Sequence, residues 1–335
     1  MENNSNEILV IDSLKIGYAS KSLLSPLSAS ANSGEMVAIL GRNGIGKSTL
    51  LRTIQGLQPS LGGNVLIDGK NISIFSGIQL ARKIGYISTE IVKVSHMTIY
   101  DLVALGRFPY TNWIGRIDYD THKIIHDSIE KTGLKGLEDR YISELSDGER
   151  QRAMIARILA QDTDILIMDE PTAFLDIASK YEIVNLMRGL TSEGKTIIFS
   201  THDFNIAINQ ADKIWLIHGS DLTEGAPEDL ILTDAFNHLF DSEIVGFNPE
   251  DGSFAFHNKY RGQIFIEGKG IKRHWTEKAL ERIGFLPAVT KTIPFVQVPA
   301  GKNDKWILCE KESSSAFGSL YDLTRKLVMV DKVLT

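Results

Sequence analysis

One octapeptide in this sequence has the make-up of a phosphate cradle. Gly41-Arg42-Asn43-Gly44-Ile45-Gly46-Lys47-Ser48 fits the spacing G-x-x-x-x-G-K-[ST]. The glycines let successive backbone N–H groups turn inward around phosphate oxygens, and the helical pattern from Ser48 to Gly56 adds the positive end of its dipole. Lys47 supplies a point charge for the β- and γ-phosphates, and the Ser48 hydroxyl a ligand for Mg²⁺. Such a pattern arises by chance in roughly one per cent of chains this long. A second feature lies further on, where the apolar run Ile165–Met168 ends in Asp169-Glu170. An isolated Asp-Glu pair has a solvated strand end as one alternative reading. Beside a phosphate loop it reads differently, because adjacent carboxylates at the tip of a buried strand are costly unless they meet a cation. Asp169 suits Mg²⁺, and Glu170, one position on and facing elsewhere, suits the polarisation of an attacking water.

These residues need a scaffold, and the pattern supplies one. Val37–Leu40, Ile84–Ile87, Ile165–Met168, Thr196–Phe199 and Lys213–His218 read as buried strands. Between them Asp118–Thr132, Glu149–Ala160 and Ile177–Leu190 read as helices, the last with Ile177, Tyr181, Val184 and Met187 as its apolar stripe. That alternation predicts an α/β core with a largely parallel sheet, and Ile8–Ile16 with Asn64–Ile67 an antiparallel flank. The turn-rich stretch Asn248–Gly252 marks a boundary. Beyond it strands at Gln263–Glu267, Thr292–Val298, Trp306–Glu310 and Val328–Leu334, with two intervening helices, predict a small βαββαβ module of ferredoxin-like type.

Composition narrows the class. The 335 residues are 43% hydrophobic and 23% charged, an ordinary globular balance. Lys plus Arg is 36 against 42 Asp plus Glu, a net charge of −6, which gives no support to broad binding of nucleic acid or an anionic surface. Cys309 is the single cysteine, so no intrachain disulfide forms and a reducing compartment is expected. No apolar run approaches the length of a spanning helix, and Met1–Glu7 is polar and acidic, unlike a secretory leader.

Leu145-Ser146-Asp147-Gly148-Glu149-Arg150-Gln151-Arg152 lies ahead of Asp169 and opens a helical pattern. It resembles the signature motif of ABC ATPases, and other motifs follow in that family's order. Tyr18 stands at the place of the adenine-stacking aromatic, Phe174-Leu175-Asp176 resembles the D-loop, and Ser200-Thr201-His202-Asp203 resembles the switch-histidine segment. The resemblance covers about residues 8–240. It implies a P-loop NTPase domain over 1–247 with a helical subdomain at about 89–160, followed by an α+β domain over 248–335. It implies ATP held by Tyr18, Gly41, Asn43, Gly44, Gly46, Lys47, Ser48 and Thr49. Ser146, Gly148 and Asp176 would contact nucleotide in a head-to-tail homodimer that sandwiches two ATP molecules. Catalysis would fall to Lys47, Glu170 and His202, and Mg²⁺ to Ser48, Asp169 and Thr89.

Three positions, in two motifs, depart from the family pattern. Asp147 and Glu149 stand where the signature has glycine and glutamine, and Thr89 stands where the Q-loop has glutamine. The expectation is that Glu90 or a bridging water substitutes. Asp101-Leu-Val-Ala-Leu-Gly-Arg107-Phe-Pro109-Tyr, followed by Trp113, resembles the helical subdomain of ATPases serving iron–siderophore, haem and cobalamin importers. The resemblance implies membrane permease partners that dock on Thr89 to Trp113, an extracytoplasmic substrate-binding protein, and a peripheral position on the cytoplasmic face of the membrane. A soluble ABC protein acting on ribosomes or nucleic acid is the alternative, disfavoured by a single signature and the lack of heptads. A P-loop phosphotransferase needs neither the signature nor the His202 segment.

Overall fold

The computed structural model describes residues 6–19, 21–89, 96–111, 119–239, 245–249, 252–256, 260–301 and 303–334. Its centre is a six-stranded sheet in the order Asp221–Gly225, Lys213–His218, Met36–Gly41, Thr196–Ser200, Ile165–Asp169, Ile84–Ile87. The first pair is antiparallel and the other neighbours are parallel. Every residue of Met36–Gly41, Ile165–Asp169 and Thr196–Ser200 is buried, the signature of strands covered on both faces. Their register pairs Ser200 with Asp169 on one side and with Ile39 on the other. Because the strands run the same way, their carboxyl ends, and the phosphate loop that leaves Gly41, emerge along one edge.

A four-stranded sheet, Leu27–Asn32, Glu7–Lys15, Gly62–Ile67 and Lys70–Asn71, pairs antiparallel throughout. Leu9, Ile11, Leu27 and Val65 from it join Val37, Ile39, Leu50, Ile54, Ile165, Ile198 and Trp215 in one buried core. The helix Lys47–Ile54 is therefore clamped between the two sheets. The helices Ile99–Ala104, Tyr119–Lys131 and Asp147–Ala160 pack on one another, and Leu102, Val103, Ile125, Ile129 and Ile155 on them are buried.

Two expectations about side chains fail here. The helix Ile177–Ser192 buries Ile183, Val184, Met187 and Leu190, while Ile177 and Tyr181 from the expected stripe are exposed. Helical spacing selected a line of residues, but the covered arc begins only at Ile183. Arg107, expected on a docking surface, is buried: its Nη1 donates to the Ala160 carbonyl at 2.8 Å, and its guanidinium lies 4.2 Å from the Tyr110 ring centroid. Glu90 and Trp113 lie outside the described residues.

Contacts divide the chain into Met1–Asp241 with Phe247–Ser253, and Ser242–Gly246 with Phe254–Thr335. The second unit carries a five-stranded sheet in the order Phe285–Ala288, Gly262–Glu267, Phe295–Gln297, Trp306–Cys309, Ser314–Phe317. The first three strands are parallel and the rest antiparallel. Ile271–Arg282 and Leu320–Leu334 are its helices, and Ile264, Ile266, Leu280, Val296, Leu308, Leu323 and Leu327 its core.

The expected βαββαβ order is thus replaced. Val328–Leu334 continues a helix instead of forming a last strand, because Leu323 and Leu327 bury one helical face and a short apolar run carries no period of its own. Phe285–Ala288 and Ser314–Phe317 are strands that the pattern did not mark. The first is an edge strand containing Pro287, which edges tolerate.

Leu308 is fully buried in the second core. Leu308→Ala is expected to destabilise this unit by about 2–5 kcal/mol. Denaturant unfolding followed through Trp306 fluorescence measures it.

Candidate functional site: the phosphate loop and its acidic strand ends

Gly41 closes the buried strand Met36–Gly41, and the chain then turns sharply into the helix Lys47–Ile54. Gly44 at φ +75° and Gly46 at φ +119° hold the left-handed conformations that the turn needs and that side chains resist. Tyr18, Asn43, Gly44, Gly46, Lys47, Ser48, Thr49 and Glu170 line a cleft of about 390 Å³, large enough for a nucleotide. Tyr18 is exposed, with its hydroxyl 3.1 Å from the Thr49 Oγ1.

Lys47 is buried, and its ammonium donates to the Gly41 carbonyl at 2.9 Å and the Arg42 carbonyl at 3.2 Å. Burial pulls its pKa down, and the nearby Glu170 and Asp169 charges pull it back up. A cation desolvated in this way gains from an anion brought to it.

The parallel register delivers the acidic pair. The Ser200 hydroxyl donates to Asp169 Oδ1 at 2.6 Å and accepts the Glu170 N–H at 2.9 Å. One buried hydroxyl therefore fixes both carboxylate-bearing residues. Glu170 sits at φ +50°, a left-handed conformation that costs an L residue about 1 kcal/mol, and such strain concentrates at working sites. Its Oε1 contacts His202 Nε2. His202 Nδ1 lies 3.5 Å from Lys47 Nζ. An ammonium can only donate, so Nδ1 accepts, and Nε2 carries the proton that faces Glu170. Lys47, His202 and Glu170 thus form one polar chain across the strand ends. Thr89 joins Asp169, Glu170, Asp147 and Gln151 around an adjoining cavity of about 60 Å³.

Ser146, Gly148 and Asp176 do not line either cavity. Ser146 caps the helix Asp147–Ala160, and Asp176 caps Ile177–Ser192. Ser179 donates its N–H and hydroxyl to the Asp176 carboxylate at 2.9 and 3.0 Å, which holds that carboxyl below its usual range. A Cβ on Gly148 would stand 2.9 Å from Ser179 Oγ and 3.2 Å from its Cβ, so any larger residue there must push Ser179 aside. The bridging role of Ser200 and the capping box between Ser146 and Glu149 escaped the sequence reading. The spacing Ser146-x-x-Glu149 is the signal for the second, while nothing in the sequence pairs Ser200 with Asp169.

A family model described as ABC transporter matches residues 24–173, and one described as iron ABC transporter C-terminal domain matches 261–328. An uncharacterized ABC transporter ATP-binding protein of Methanocaldococcus jannaschii is 37% identical over 253 residues, covering 75% of this chain and 87% of the relative. This chain is an ABC transporter ATP-binding subunit. The petrobactin import ATP-binding protein FpuC of Bacillus anthracis is 36% identical, covering 66% of this chain and 82% of FpuC. The iron(3+)-hydroxamate import ATP-binding protein FhuC of Bacillus subtilis is 35% identical, covering 71% and 90%. Among solved structures, CbiO1 of Clostridium perfringens, part of the cbiONQ transporter complex, superposes with a TM-score of 0.62 at 28% identity, covering 69% of this chain and 93% of CbiO1. A nucleotide-free ATP-binding cassette superposes with a TM-score of 0.62 at 25% identity, covering 68% and 94%.

As an ABC ATP-binding subunit the chain hydrolyses ATP, and the nucleic-acid alternative falls away. Among the described residues no helix is long and apolar enough to cross a membrane.

Ser200→Ala is expected to lower kcat for phosphate release by at least tenfold, about 1.4 kcal/mol, while the protein stays folded. Steady-state phosphate release, with circular dichroism as the control, measures it.

Proposed function

We propose that this ABC subunit powers an importer of iron–siderophore complexes, haem or cobalamin, working as a homodimer that clamps two ATP molecules between a phosphate loop and the partner's signature helix. The observation that carries the hydrolytic part is the convergence of Lys47, Asp169, Glu170 and His202 on one sheet edge beside the loop cleft. The cargo class is supported by relatives named for petrobactin and iron(3+)-hydroxamate import and by the iron-transporter model over the second unit.

In this reading the loop amides and Lys47 bind the β- and γ-phosphates. The Lys47 ammonium exchanges its carbonyl partners for phosphate oxygens. The Glu170 carboxylate accepts a proton from the attacking water, and His202, its Nε2–H directed at Glu170, orients the pair. Ser48 and Asp169 fit Mg²⁺. Asp169 is a buried carboxylate held in place by Ser200, and an ion bound largely through substrate phosphates needs only one or two protein oxygens. Bound there, the ion would neutralise charge on the phosphates. Thr89 lies at the same acidic pair and is proposed as a water-mediated neighbour of the ion.

The permease is proposed to dock on a second cleft of about 420 Å³, walled by the helix Gly77–Ala81 and the signature helix. Its lining includes Leu57, Leu80, Tyr86, Met154, Arg157 and Gln161. Arg82 donates to the Pro109 carbonyl at 2.8 and 3.0 Å, which ties the neighbouring segment, with exposed Leu105 and Phe108, to that wall. Exposed aromatic and aliphatic side chains of this kind suit an interface.

Glu170→Gln is expected to bind ATP, hydrolyse it at least a hundredfold more slowly and run as a dimer on gel filtration with ATP. A monomer at saturating ATP would contradict the sandwich. Lys47→Ala is expected to lose tenfold or more in nucleotide affinity, measured by fluorescent-nucleotide titration. Co-purification with a polytopic membrane protein carrying a siderophore-, haem- or cobalamin-dependent uptake defect tests the cargo.

A further inference from the structure

The signature serine is already engaged within its own chain. Glu149 Oε2 accepts both the Ser146 N–H at 2.8 Å and the Ser146 hydroxyl at 2.9 Å. The Glu149 N–H donates back to the Ser146 oxygen at 3.2 Å. A serine hydroxyl has one proton to give, and here a carboxylate takes it. The opposite carboxylate oxygen, Oε1, lies 3.3 Å from Arg140 Nη1, and Arg140 Nη2 donates to the Glu144 carbonyl at 2.9 Å, so the acceptor is braced from behind. Asp147, the neighbouring departure from the family signature, is neutralised by Arg150 at 2.7 Å. Of the two carboxylates, it is Glu149 that the Ser146 hydroxyl donates to.

We propose that Glu149 is a latch on Ser146: its carboxylate holds the one proton that the signature serine can donate, so a γ-phosphate offered by a second copy must first displace it. The inference rests on the sandwich reading and sharpens it, making Glu149 a positioning residue that sets how much ATP closes the dimer. The competition is between two anions for one donor. Hydrogen bonds to charged acceptors are roughly twice as strong as neutral ones, so the glutamine usual in the signature would release Ser146 more readily. The ionised state of Glu149 is secured by its surroundings, since the two Ser146 bonds hold its carboxyl below the usual range and Arg140 and Arg152 act in the same direction.

The test uses the full chain in the Glu170→Gln background, where the ATP-bound dimer accumulates. Light scattering across an ATP titration gives the concentration for half-maximal dimerisation. Glu149→Gln, which keeps the capping geometry, is expected to lower that concentration by about fivefold. Glu149→Asp keeps the charge but shortens the reach to the hydroxyl, and is expected to lower it similarly. With Glu170 intact, Glu149→Gln is expected to lower the KM for ATP by a similar factor with little change in kcat, a split that a merely structural cap would not produce. An unchanged ATP requirement in Glu149→Gln overturns the latch. A fall in Glu149→Gln with none in Glu149→Asp also overturns it, since charge alone and not the held proton would then be responsible. Should Glu170→Gln by itself stay monomeric at saturating ATP, the sandwich reading fails and the latch with it.

Discussion

A buried ammonium governs this site. Lys47 is almost fully removed from water and donates to two carbonyls of its own loop, an arrangement that leaves its charge under-compensated. The fold places the compensating groups at a distance and on other strands. Asp169 and Glu170 act on it electrostatically, and His202 touches it through Nδ1. A polyphosphate entering the loop cleft meets a cation that costs little more to desolvate, beside an Asp169 carboxylate and a Glu170 backbone already fixed by Ser200. The hydrophobic core exists, in functional terms, to keep those strand ends in register. Slipping Thr196–Ser200 by one residue against Ile165–Asp169 would carry Ser200 off both the Asp169 carboxylate and the Glu170 N–H.

Much of this was legible beforehand. The phosphate loop could be read because its constraint is local, with Gly44 and Gly46 demanded by φ and Lys47 and Ser48 following at fixed spacing. The strands that carry Asp169 and His202 could be read because parallel strands buried on both faces are continuous apolar runs. What could not be read is long-range or depends on which arc of a helix is covered. The Ser200–Asp169 bond spans two strands with no shared motif. Arg107 looked like a surface anchor and is buried under Tyr110 with its guanidinium on the Ala160 carbonyl. Ile177 and Tyr181 had helical spacing and face solvent.

The second unit shows the same limit more sharply. Its strands are three to six residues long, near the length where an apolar run no longer distinguishes strand from helix. Val328–Leu334 fell on the wrong side because its helical face is set by Leu323 and Leu327, upstream of the run itself. What orders the unit is tertiary: Trp306 donates its indole N–H to the fully buried Thr276 at 2.9 Å, joining the sheet to the helix Ile271–Arg282.

The central claim is that each nucleotide is completed by two chains. Mixing two inactive variants tests it directly. A Lys47→Ala chain keeps its signature, and a Ser146→Arg chain keeps its phosphate loop, so a mixed pair rebuilds one intact site of two. Equal mixing is predicted to restore about a quarter of the wild-type ATPase rate, from statistical pairing across a two-fold axis. A mixture no more active than the two variants measured apart would mean that one chain holds the whole site, and would contradict the account.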